Sequence, residues 1–459
     1  MTRLTTIVLG AAVALAAVAA AAPTVISPAS AGATSLATAA PTGLLAGDWY
    51  TYHGNRQRTG VGAMPALTRT PAKVASLTLD AAVYASPIVA RGITVVATEN
   101  DSVYGYNRAG ARLWRTHLGT PARRADLPCG NIDPLGITGT PAYDAATGLV
   151  FVVAEYRSPV RHQLVALSPT TGAVRWRKSV DLPGVDATAM QQRGALIVAN
   201  GRVWVPFGGL AGDCGAYKGR LVGVALSGAG SPVSFTVPTT REAGIWTPPG
   251  PSLDSYGHLL VAVGNGESGP GDRYDYSDSV LQLTGTRLTG SFSPRTWARD
   301  NAADLDLGSQ GPTVVGRSWV FAAGKSGTAY VLRQNALGGI GGEVSSASLC
   351  RSFGGTAVVG DVVYVPCTDG LRAVRISSRG TMTVLWRASA SVTGSPVVGG
   401  GRVWSLDTAA GRLHALDPRT GRSLSATAVG PVTRFATPAL SASRVLVPTM
   451  AGYTIVRAD

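Results

Sequence analysis

A stretch near the start of the chain, Tyr84–Trp114, sets a pattern that the rest of the sequence repeats. It contains three short runs in which apolar residues alternate with small or polar ones, at Ala85–Ala90, Ile93–Thr98 and Ser102–Asn107. Each run breaks at glycine or at a cluster of acidic and polar residues. Alternation with a period of two and this punctuation predict three short antiparallel strands joined by tight turns. Gly110–Trp114 supplies the start of a fourth strand.

The same unit recurs along the whole chain. Small-residue runs that resemble its inner strand start at intervals of about 40 to 64 residues, the range of four-stranded propeller blades with insertions. The eight starts lie near Tyr84, Ile137, Gln191, Ile245, Ser309, Phe353, Thr393 and Phe435. The repeats therefore predict an all-β fold, an eight-bladed β-propeller of four-stranded antiparallel blades.

The two ends of the repeat array predict how the ring closes. The last unit stops at Asp459 after three strands, and a lone strand at Lys73–Leu79 precedes the first full unit. Pairing the lone strand with the last unit would complete that blade and remove two open sheet edges. We therefore expect the N-terminal strand to close the ring.

The composition agrees with this fold and limits the classes of binding partner that we expect. The chain is 45% hydrophobic, only 14% of its residues are charged, and it contains 58 glycines. This suits many buried strands and tight turns, and it excludes disorder. The net charge of +14 would attract anionic wall polymers or lipid surfaces. No dense Lys/Arg run and no interleaving of aromatic and basic residues is present, so nucleic acid is not an expected partner.

The N-terminus predicts export. Arg3 precedes an apolar run at Ile7–Ala22, and Ala29–Ala31 matches the small-x-small pattern of signal-peptide cleavage. The run is short and alanine-rich for a membrane span, and no cysteine near the cleavage site offers a lipid anchor. We expect a secreted, extracellular monomer without a membrane span. Its predicted parts are a signal peptide at 1–31, a flexible lead-in and N-terminal cap at 32–66, and one propeller domain at 67–459.

Four cysteines remain in the predicted mature chain, and an even number in an oxidising compartment predicts two disulfides. Their positions in the repeat narrow the three possible pairings. Cys129 and Cys350 lie in connections between blades, whereas Cys214 and Cys367 follow second strands. These connections and the loops between second and third strands share one face of a propeller, and that face also carries the long insertions. We therefore predict the bonds Cys129–Cys214 and Cys350–Cys367.

Several motifs resemble the PQQ-like (pyrroloquinoline quinone) β-propeller repeat family. They are SPIV…VVATENDSVYGYNRAGARLW at Ser86–Trp114, LVALSPTTGAVRW at Leu164–Trp176, GIWTPPGPSLDSYGHLLVAVGNG at Gly244–Gly266 and LDLGSQGPTVV at Leu305–Val315. The aromatic segment DWYTYHGNRQRTG at Asp48–Gly60 is similar to the usual N-terminal lead of that family. The resemblance runs from Asp48 to the C-terminus.

The resemblance implies two functions. Some members of the family are quinoprotein alcohol dehydrogenases, including polyvinyl-alcohol dehydrogenase, which bind PQQ and calcium on the propeller axis. Others resemble the barrel-assembly lipoprotein of Gram-negative outer membranes, a scaffold without a cofactor. This chain lacks the adjacent Cys-Cys pair of many of the dehydrogenases, a haem motif and a lipobox cysteine. The sequence therefore favours an exported binding or scaffold module of the cell envelope or extracellular space over an enzyme. Its partner would be an envelope protein, a glycan or an anionic wall polymer. The alternative is a PQQ- and calcium-dependent alcohol dehydrogenase.

An acidic loop at Gly264–Asp278 is one candidate site. It contains a formal G-x-G-x-x-G pattern, but Pro270–Gly271 excludes the helix that a dinucleotide site requires. Glu267 and Asp272 are candidate calcium ligands, since calcium accepts flexible oxygen cages. Asn265 and Glu267 are candidate cofactor contacts. The alternative is a solvated, turn-rich loop.

A second candidate set lies where inner strands enter the axial funnel. Asp304 and Asp306 are candidates for a catalytic base or for calcium ligands, or they cap turns through their own side chains. Lys325 suits a quinone carbonyl, or it is a plain turn lysine. Trp246 suits stacking on a flat ligand, or packing between blades. Convergence of Asp304, Asp306, Glu267 and Lys325 on the axis would favour the dehydrogenase, and scatter around the rim would favour the binding module.

Overall fold

The computed structural model describes residues 1–2 and 43–459. The predicted signal peptide and most of the predicted lead-in lie outside these residues. The chain divides into two units, 1–35 and 36–459, and every feature below belongs to the second. Within the described residues, no helix is both long enough and apolar enough to cross a membrane.

Residues 72–457 form the eight sheets of a β-propeller, as the repeats predict. The first strand, β1, is Ala72–Thr78. Blade 1 contains β2 (Ile88–Ala90), β3 (Ile93–Ala97), β4 (Ser102–Tyr106) and β5 (Arg112–His117). Blade 2 contains β6 (Ala142–Asp144), β7 (Leu149–Tyr156), β8 (Arg161–Leu167) and β9 (Val174–Ser179). Blade 3 contains β10 (Met190–Gln191), β11 (Ile197–Ala199), β12 (Arg202–Gly209), β13 (Arg220–Ala225) and β14 (Val233–Thr236). Blade 4 contains β15 (Ser252–Leu253), β16 (Leu259–Val263), β17 (Ser279–Thr284) and β18 (Arg287–Ser293).

The second half of the ring repeats the same order. Blade 5 contains β19 (Thr313–Val315), β20 (Trp319–Ala323), β21 (Thr328–Arg333) and, after a short strand β22 (Gly339–Ile340), β23 (Ser345–Ser348). Blade 6 contains β24 (Ala357–Val359), β25 (Val362–Val365), β26 (Arg372–Ile376) and β27 (Met382–Arg387). Blade 7 contains β28 (Val397–Gly399), β29 (Arg402–Asp407), β30 (Arg412–Leu416) and β31 (Ser423–Ala428). Blade 8 contains β32 (Ala439–Ser441), β33 (Arg444–Thr449) and β34 (Gly452–Arg457). Helical turns occupy Tyr52–Gly54, Arg124–Asp126, Ala187–Ala189, Leu307–Ser309 and a short α-helix, α1 (Trp297–Ala302).

The ring closes as predicted. β1 pairs antiparallel with β34, with Lys73 opposite Val456 and Thr78 opposite Gly452, and so forms the outer strand of blade 8. The pairing joins the two ends of the propeller. It also supplies partners to backbone groups that would otherwise form exposed sheet edges.

Tryptophans on outer strands join neighbouring blades. The indole of Trp114 on β5 donates to the Pro169 carbonyl at 2.9 Å and packs on Gly172 in the turn before β9. A Cβ at Gly172 would lie 2.4 Å from the indole ring, so the contact requires glycine there. Trp386 on β27 of blade 6 makes the same contact with blade 7, donating to the Pro418 carbonyl at 2.9 Å. This explains why the repeat pairs tryptophan with a later turn glycine.

Blade 4 departs from the expected pattern. Trp297 lies shortly after the outer strand β18 and is the first residue of α1. β22, which lies between the third and fourth strands of blade 5 in sequence, adds to the outer edge of blade 4 by parallel pairing with β18. The repeat does not indicate either feature because both lie in insertions outside it.

The N-terminal cap crosses the inner edge of the ring, with Tyr52 and Arg58 buried at its centre. The Arg58 guanidinium donates to the carbonyls of Pro251 and Leu196, which lie on blades 4 and 3. Further bonds between the cap and inner strands join Tyr143 to Tyr50, Leu253 to Arg56, Val358 to Thr59, Val398 to Gly60 and Thr437 to Tyr52. The cap therefore ties blades from both halves of the ring together at one end of the axis.

Candidate axial binding site

Residues from the blade-to-blade connections and from the loops after second strands enclose a cavity of about 700 Å³, which we call the axial cavity. Its lining includes Tyr84, Arg193, Trp246, Asn265, Lys325 and Phe435. These residues come from blades 1, 3, 4, 5 and 8, so the cavity lies where the blades meet at the axis. A second, smaller pocket, which we call the narrow extension, is lined by Tyr52 and Thr138 among others and shares Tyr84, Arg193 and Phe435 with the axial cavity.

One wall of the axial cavity carries a lysine between two aspartates. The Lys325 Nζ lies 2.5 Å from Asp304 Oδ1 and 2.8 Å from Asp306 Oδ1. The Trp246 indole donates to the other Asp306 oxygen at 3.2 Å. Asp304 lines the cavity with a side chain that is 68% exposed, whereas Asp306 is fully buried behind it. The cavity therefore presents Asp304, Lys325 and Trp246, and Asp306 holds two of them in place.

Charge and burial compete at this wall. Burial raises the pKa of Asp306, and the nearby Lys325 ammonium opposes that rise without cancelling it. Burial alone would lower the pKa of Lys325, but the carboxylates of Asp306 and Asp304 outweigh burial and raise it. The carboxylates therefore favour the charged form of Lys325, and the Lys325 ammonium in turn favours the ionised form of Asp306.

Local backbone structure sets this geometry. Asp306 precedes the helical turn Leu307–Ser309, and its carbonyl accepts the Lys325 N–H at 3.0 Å. The buried Asp278 accepts the Leu307 N–H from the other side. At Gly324 a Cβ would lie 2.5 Å from the Asp306 carbonyl oxygen, so only glycine lets the two loops approach this closely.

Two arginines stack on phenylalanines at another part of the wall, where the Phe435 ring lies 6.1 Å from the Trp246 ring. The Arg193 guanidinium carbon lies 4.5 Å from the Phe435 ring centroid, and that of Arg434 lies 4.1 Å from the Phe353 ring centroid. Among residues 43–459 neither guanidinium forms a salt bridge with a carboxylate. Burial lowers the pKa of Arg193 to about 10, which leaves it charged at neutral pH. This wall therefore favours anionic groups on a ligand.

The predicted calcium ligands do not assemble at one point. Glu267 and Asp272 lie in a separate surface groove with Thr240 and Tyr274, and Asp272 accepts the Gly269 N–H of its own loop at 2.8 Å. Asp304 and Asp306 face Lys325 instead. Within the described part of the chain, the only three acidic, histidine or cysteine side chains close enough to hold a metal are Cys350, Cys367 and Asp369. Their two sulfurs are joined in a disulfide.

Two disulfides stabilise the face that carries the cavity. Cys129 bonds to Cys214 and Cys350 to Cys367, with Cα separations of 5.9 and 5.7 Å, and these are the pairs that the repeat positions predict. The first ties the connection between blades 1 and 2 to the loop after β12. That loop contributes Leu210 and Asp213 to the cavity lining.

The axial cavity thus contains four of the predicted residues, Trp246, Asn265, Asp304 and Lys325, with Asp306 directly behind them. Sequence reasoning missed Arg193, Arg434 and the role of Phe435. A signal was available, because Tyr84, Phe353 and Phe435 are aromatic residues at the starts of repeat units, where the other units carry isoleucine, glutamine, serine or threonine. The sequence of one repeat unit does not predict which bulky residues from different units contact each other at the axis.

The eight blades define the chain as a β-propeller. Residues 57–205 match a family model described as "Outer membrane protein assembly factor BamB". The resemblance to PQQ-like repeats is therefore confirmed there. No curated protein matches the chain in a sequence search.

Solved structures share the fold at low sequence identity. The structure titled "Crystal Structure of Quinohemoprotein Alcohol Dehydrogenase from Comamonas testosteroni" has a TM-score of 0.69 and 16% identity, and the match covers 92% of this chain and 81% of that chain. BamB from Moraxella catarrhalis has a TM-score of 0.54 and 18% identity, with 84% and 97% covered. The computationally designed Ika8 protein has a TM-score of 0.52 and 12% identity, with 84% and 100% covered. These similarities establish the propeller fold alone.

Proposed function

We propose that the axial cavity binds a planar, anionic quinone of the PQQ class, and that the protein uses it to oxidise alcohols. The observation that carries this proposal is convergence. A tryptophan, an aspartate paired with a lysine, and two arginines without carboxylate partners line one cavity. Of the four residues chosen to separate the two functions, Asp304 and Lys325 line this cavity, Asp306 lies buried behind them, and Glu267 lies in a separate groove.

The side chains at the cavity match the chemistry of PQQ. PQQ is a flat tricarboxylate with two adjacent carbonyls, and about 700 Å³ is within the usual volume of small-molecule sites. Trp246 offers a flat face, Arg193 and Arg434 suit carboxylates, and Lys325 suits a quinone carbonyl. Calcium does not fit equally well, since Asp304 and Asp306 are both turned to Lys325. We therefore assign no step to a metal ion.

The protein's own residues then have distinct roles. Bound PQQ would supply the two-electron acceptor that converts an alcohol to an aldehyde. Asp304 is the exposed carboxylate in the cavity, and it would accept the hydroxyl proton of the alcohol as a general base. Lys325 forms an ion pair with Asp304, and Asp306 fixes the directions of Lys325 and Trp246. The substrate would enter from the open side, over Asp304.

The test is calorimetric titration of the purified protein with PQQ, with Trp246→Ala and Lys325→Met as variants and Glu267→Gln as the control. We expect binding at one PQQ per chain, weakened in the two cavity variants and unchanged in the control. Dye reduction with a panel of alcohols then tests oxidation, and Asp304→Asn should abolish it while PQQ still binds. Absence of PQQ binding to the folded protein would reject the proposal.

A second candidate function is a scaffold in the cell envelope or outside the cell. It is supported by the description of the family model matched by residues 57–205 and by the similarity to BamB. The partner would be an envelope protein, a glycan or an anionic wall polymer, the last suited to the charge of +14. Two disulfides are consistent with an exported protein. Cross-linking on intact cells should recover one partner in stoichiometric amount, and recovery of the protein from the cytosol alone would reject this function.

A further inference from the structure

A buried row of ionisable side chains lies in the wall between blades 1 and 2, outside the site described above. Glu99 and Asp101 follow β3, and Glu155 and His162 lie at the facing ends of β7 and β8. All four are 2% exposed or less. His162 contacts Glu155 at 3.2 Å and Asp181 at 2.7 Å, so the row reaches the surface at Asp181.

Charge and hydrogen bonding are unevenly distributed along this row. His162 lies between two carboxylates, and these outweigh its burial and raise its pKa to about 10. At the other end, Glu99 Oε1 and both Asp101 oxygens are buried without a hydrogen-bond partner among the described residues. An ionised carboxylate in that state is costly, whereas a protonated one is not. The single imidazolium therefore pairs with Glu155 and Asp181, and neither Glu99 nor Asp101 contacts a cation.

The pKa values agree with this geometry. Burial raises the pKa of Glu99 to about 8, and the charge of Glu155 adds to the rise. Burial, together with Glu99 and Glu155, raises the pKa of Asp101 to about 9. Two donors, the Gly136 N–H at 2.9 Å and the Thr138 hydroxyl at 3.1 Å, favour the ionised form of Glu99 but do not offset burial. Both acids are therefore mainly protonated at neutral pH.

One hydrogen bond separates Glu99 from the axial cavity. Thr138, which donates to Glu99, lines the narrow extension of the cavity together with Tyr84 and Arg193. The Arg193 charge acts on Glu99 and lowers its pKa, against the larger effect of burial. Tyr84 faces the same acid, and burial and Glu99 raise the tyrosine pKa. Arg193 is thus the charged group shared by the cavity and the buried acids.

We propose that Glu99 and Asp101 form a proton-binding site in the wall of the axial cavity, and that an anion bound beside Arg193 increases its occupancy by protons. The anion offsets the arginine charge that favours ionised Glu99. Anion binding and protonation of Glu99 therefore favour each other. By linkage, anion binding must weaken as pH rises through the range in which Glu99 loses its proton. The identity of the anion as PQQ rests on the proposed function, whereas the proton site and its coupling to Arg193 do not.

The first experiment needs no ligand. The chain has five glutamates, so ¹³C labelling of the side-chain carboxyl yields five assignable signals, from Glu99, Glu155, Glu242, Glu267 and Glu343. We expect the signal lost in Glu99→Gln to titrate at about 8 in the wild type. Arg193→Gln should move this midpoint upward, and Glu267→Gln should leave it in place. A titration midpoint for Glu99 in the ordinary acidic range would overturn the proposal. A midpoint that stays the same in Arg193→Gln, in a protein with unchanged melting temperature, would also overturn it.

The second experiment measures coupling to the ligand. PQQ is titrated at pH 8 in buffers of different ionisation enthalpy, and the slope of the binding heat gives the protons taken up. We expect net uptake in the wild type, less in Glu99→Gln and no change in Glu267→Gln. PQQ binding without proton uptake overturns the coupling. If PQQ does not bind, the proposed function fails, and Arg193→Gln, which removes the same charge that the anion would offset, still decides the coupling.

Discussion

Two walls of the axial cavity contain the same kinds of acids in opposite electrostatic states. On the side of blades 4 and 5, Lys325 lies between Asp304 and Asp306, and the carboxylates are paired. On the side of blades 1 and 2, Glu99 and Asp101 have buried oxygens without partners. Burial raises the pKa values in both places, but only one wall has a cation in contact. The comparison teaches that the partner, rather than the residue type or its burial, decides whether a carboxylate here is a base or a proton carrier.

The largest expected effect comes from removing the cation of the paired wall. Lys325→Met leaves Asp306 buried without its ion-pair partner, and losing one member of a buried pair costs about 3–5 kcal/mol of the free energy of unfolding. Urea denaturation measures the loss, with Lys73→Met on the exposed face of β1 as the control. Adding Asp306→Asn to Lys325→Met should restore much of the stability. A loss no greater than that of Lys73→Met would mean that the two walls are not electrostatically different.

The unpaired wall should respond in the opposite direction. Because the folded protein holds a proton on Glu99 up to about pH 8 and the unfolded chain releases it near pH 4.5, stability falls as pH rises between these values. Glu99→Gln retains an oxygen that accepts from Gly136 and Thr138, but it has no proton to release. Its free energy of unfolding relative to the wild type should therefore be about 1–3 kcal/mol higher at pH 9 than at pH 5. Thermal unfolding across this pH range tests it. Parallel curves for the two proteins would contradict a proton on Glu99.

His162 should add to the same alkaline instability for a different reason. Its pKa is raised to about 10 by Glu155 and Asp181, so the stabilisation is complete below about pH 6.5, the value of the unfolded chain, and is lost as pH rises toward 10. We expect His162→Gln to be destabilised at pH 6 by about 1–3 kcal/mol and to approach the wild type at pH 10. A difference that does not change with pH would show that His162 acts only through packing.

PQQ binding by two arginine variants tests which arginine of the cavity contacts the anionic groups of the ligand. Arg193→Gln removes the cation that is shared with Glu99, and we expect it to weaken PQQ binding about tenfold, corresponding to one charged hydrogen bond. The matched variant Arg434→Gln removes a more exposed guanidinium and should weaken binding less. Calorimetry at pH 7 compares the two. A larger loss in Arg434→Gln would place the anionic groups of the ligand at the mouth of the cavity and away from the buried acids.

The smallest effect is expected at the rim. Glu267 lies in the separate groove and accepts a hydrogen bond from Thr240 at 3.3 Å. Glu267→Gln should therefore change both PQQ affinity and unfolding free energy by less than about 0.5 kcal/mol, as surface substitutions usually do. Loss of PQQ binding in this variant would restore the acidic loop as part of the site.

Part of the candidate site was predictable from residue positions. Asp304, Asp306 and Lys325 lie beside strand ends of one repeat unit, so their meeting depends on turns that the unit itself specifies. Glu267 and Asp272 look equivalent in sequence, but the loop at Gly264–Asp278 places both in a separate surface groove, where Asp272 caps a turn of its own loop. A loop of that length has several conformations with similar local energies, and packing against blade 3 and α1 selects one.

The sequence by itself determined the eight units, the strand that closes the ring and the cysteine pairs. The reason is that these features depend on local properties: period-two alternation, turn glycines and the position of a residue within its unit. Their recurrence in eight units makes a chance pattern implausible. The tertiary structure alone decided that Arg193, Trp246, Lys325 and Phe435 share a cavity, and that Glu99 is left without a cation. Those outcomes depend on loops that meet across the axis from distant parts of the chain, and on burial, which no single unit encodes.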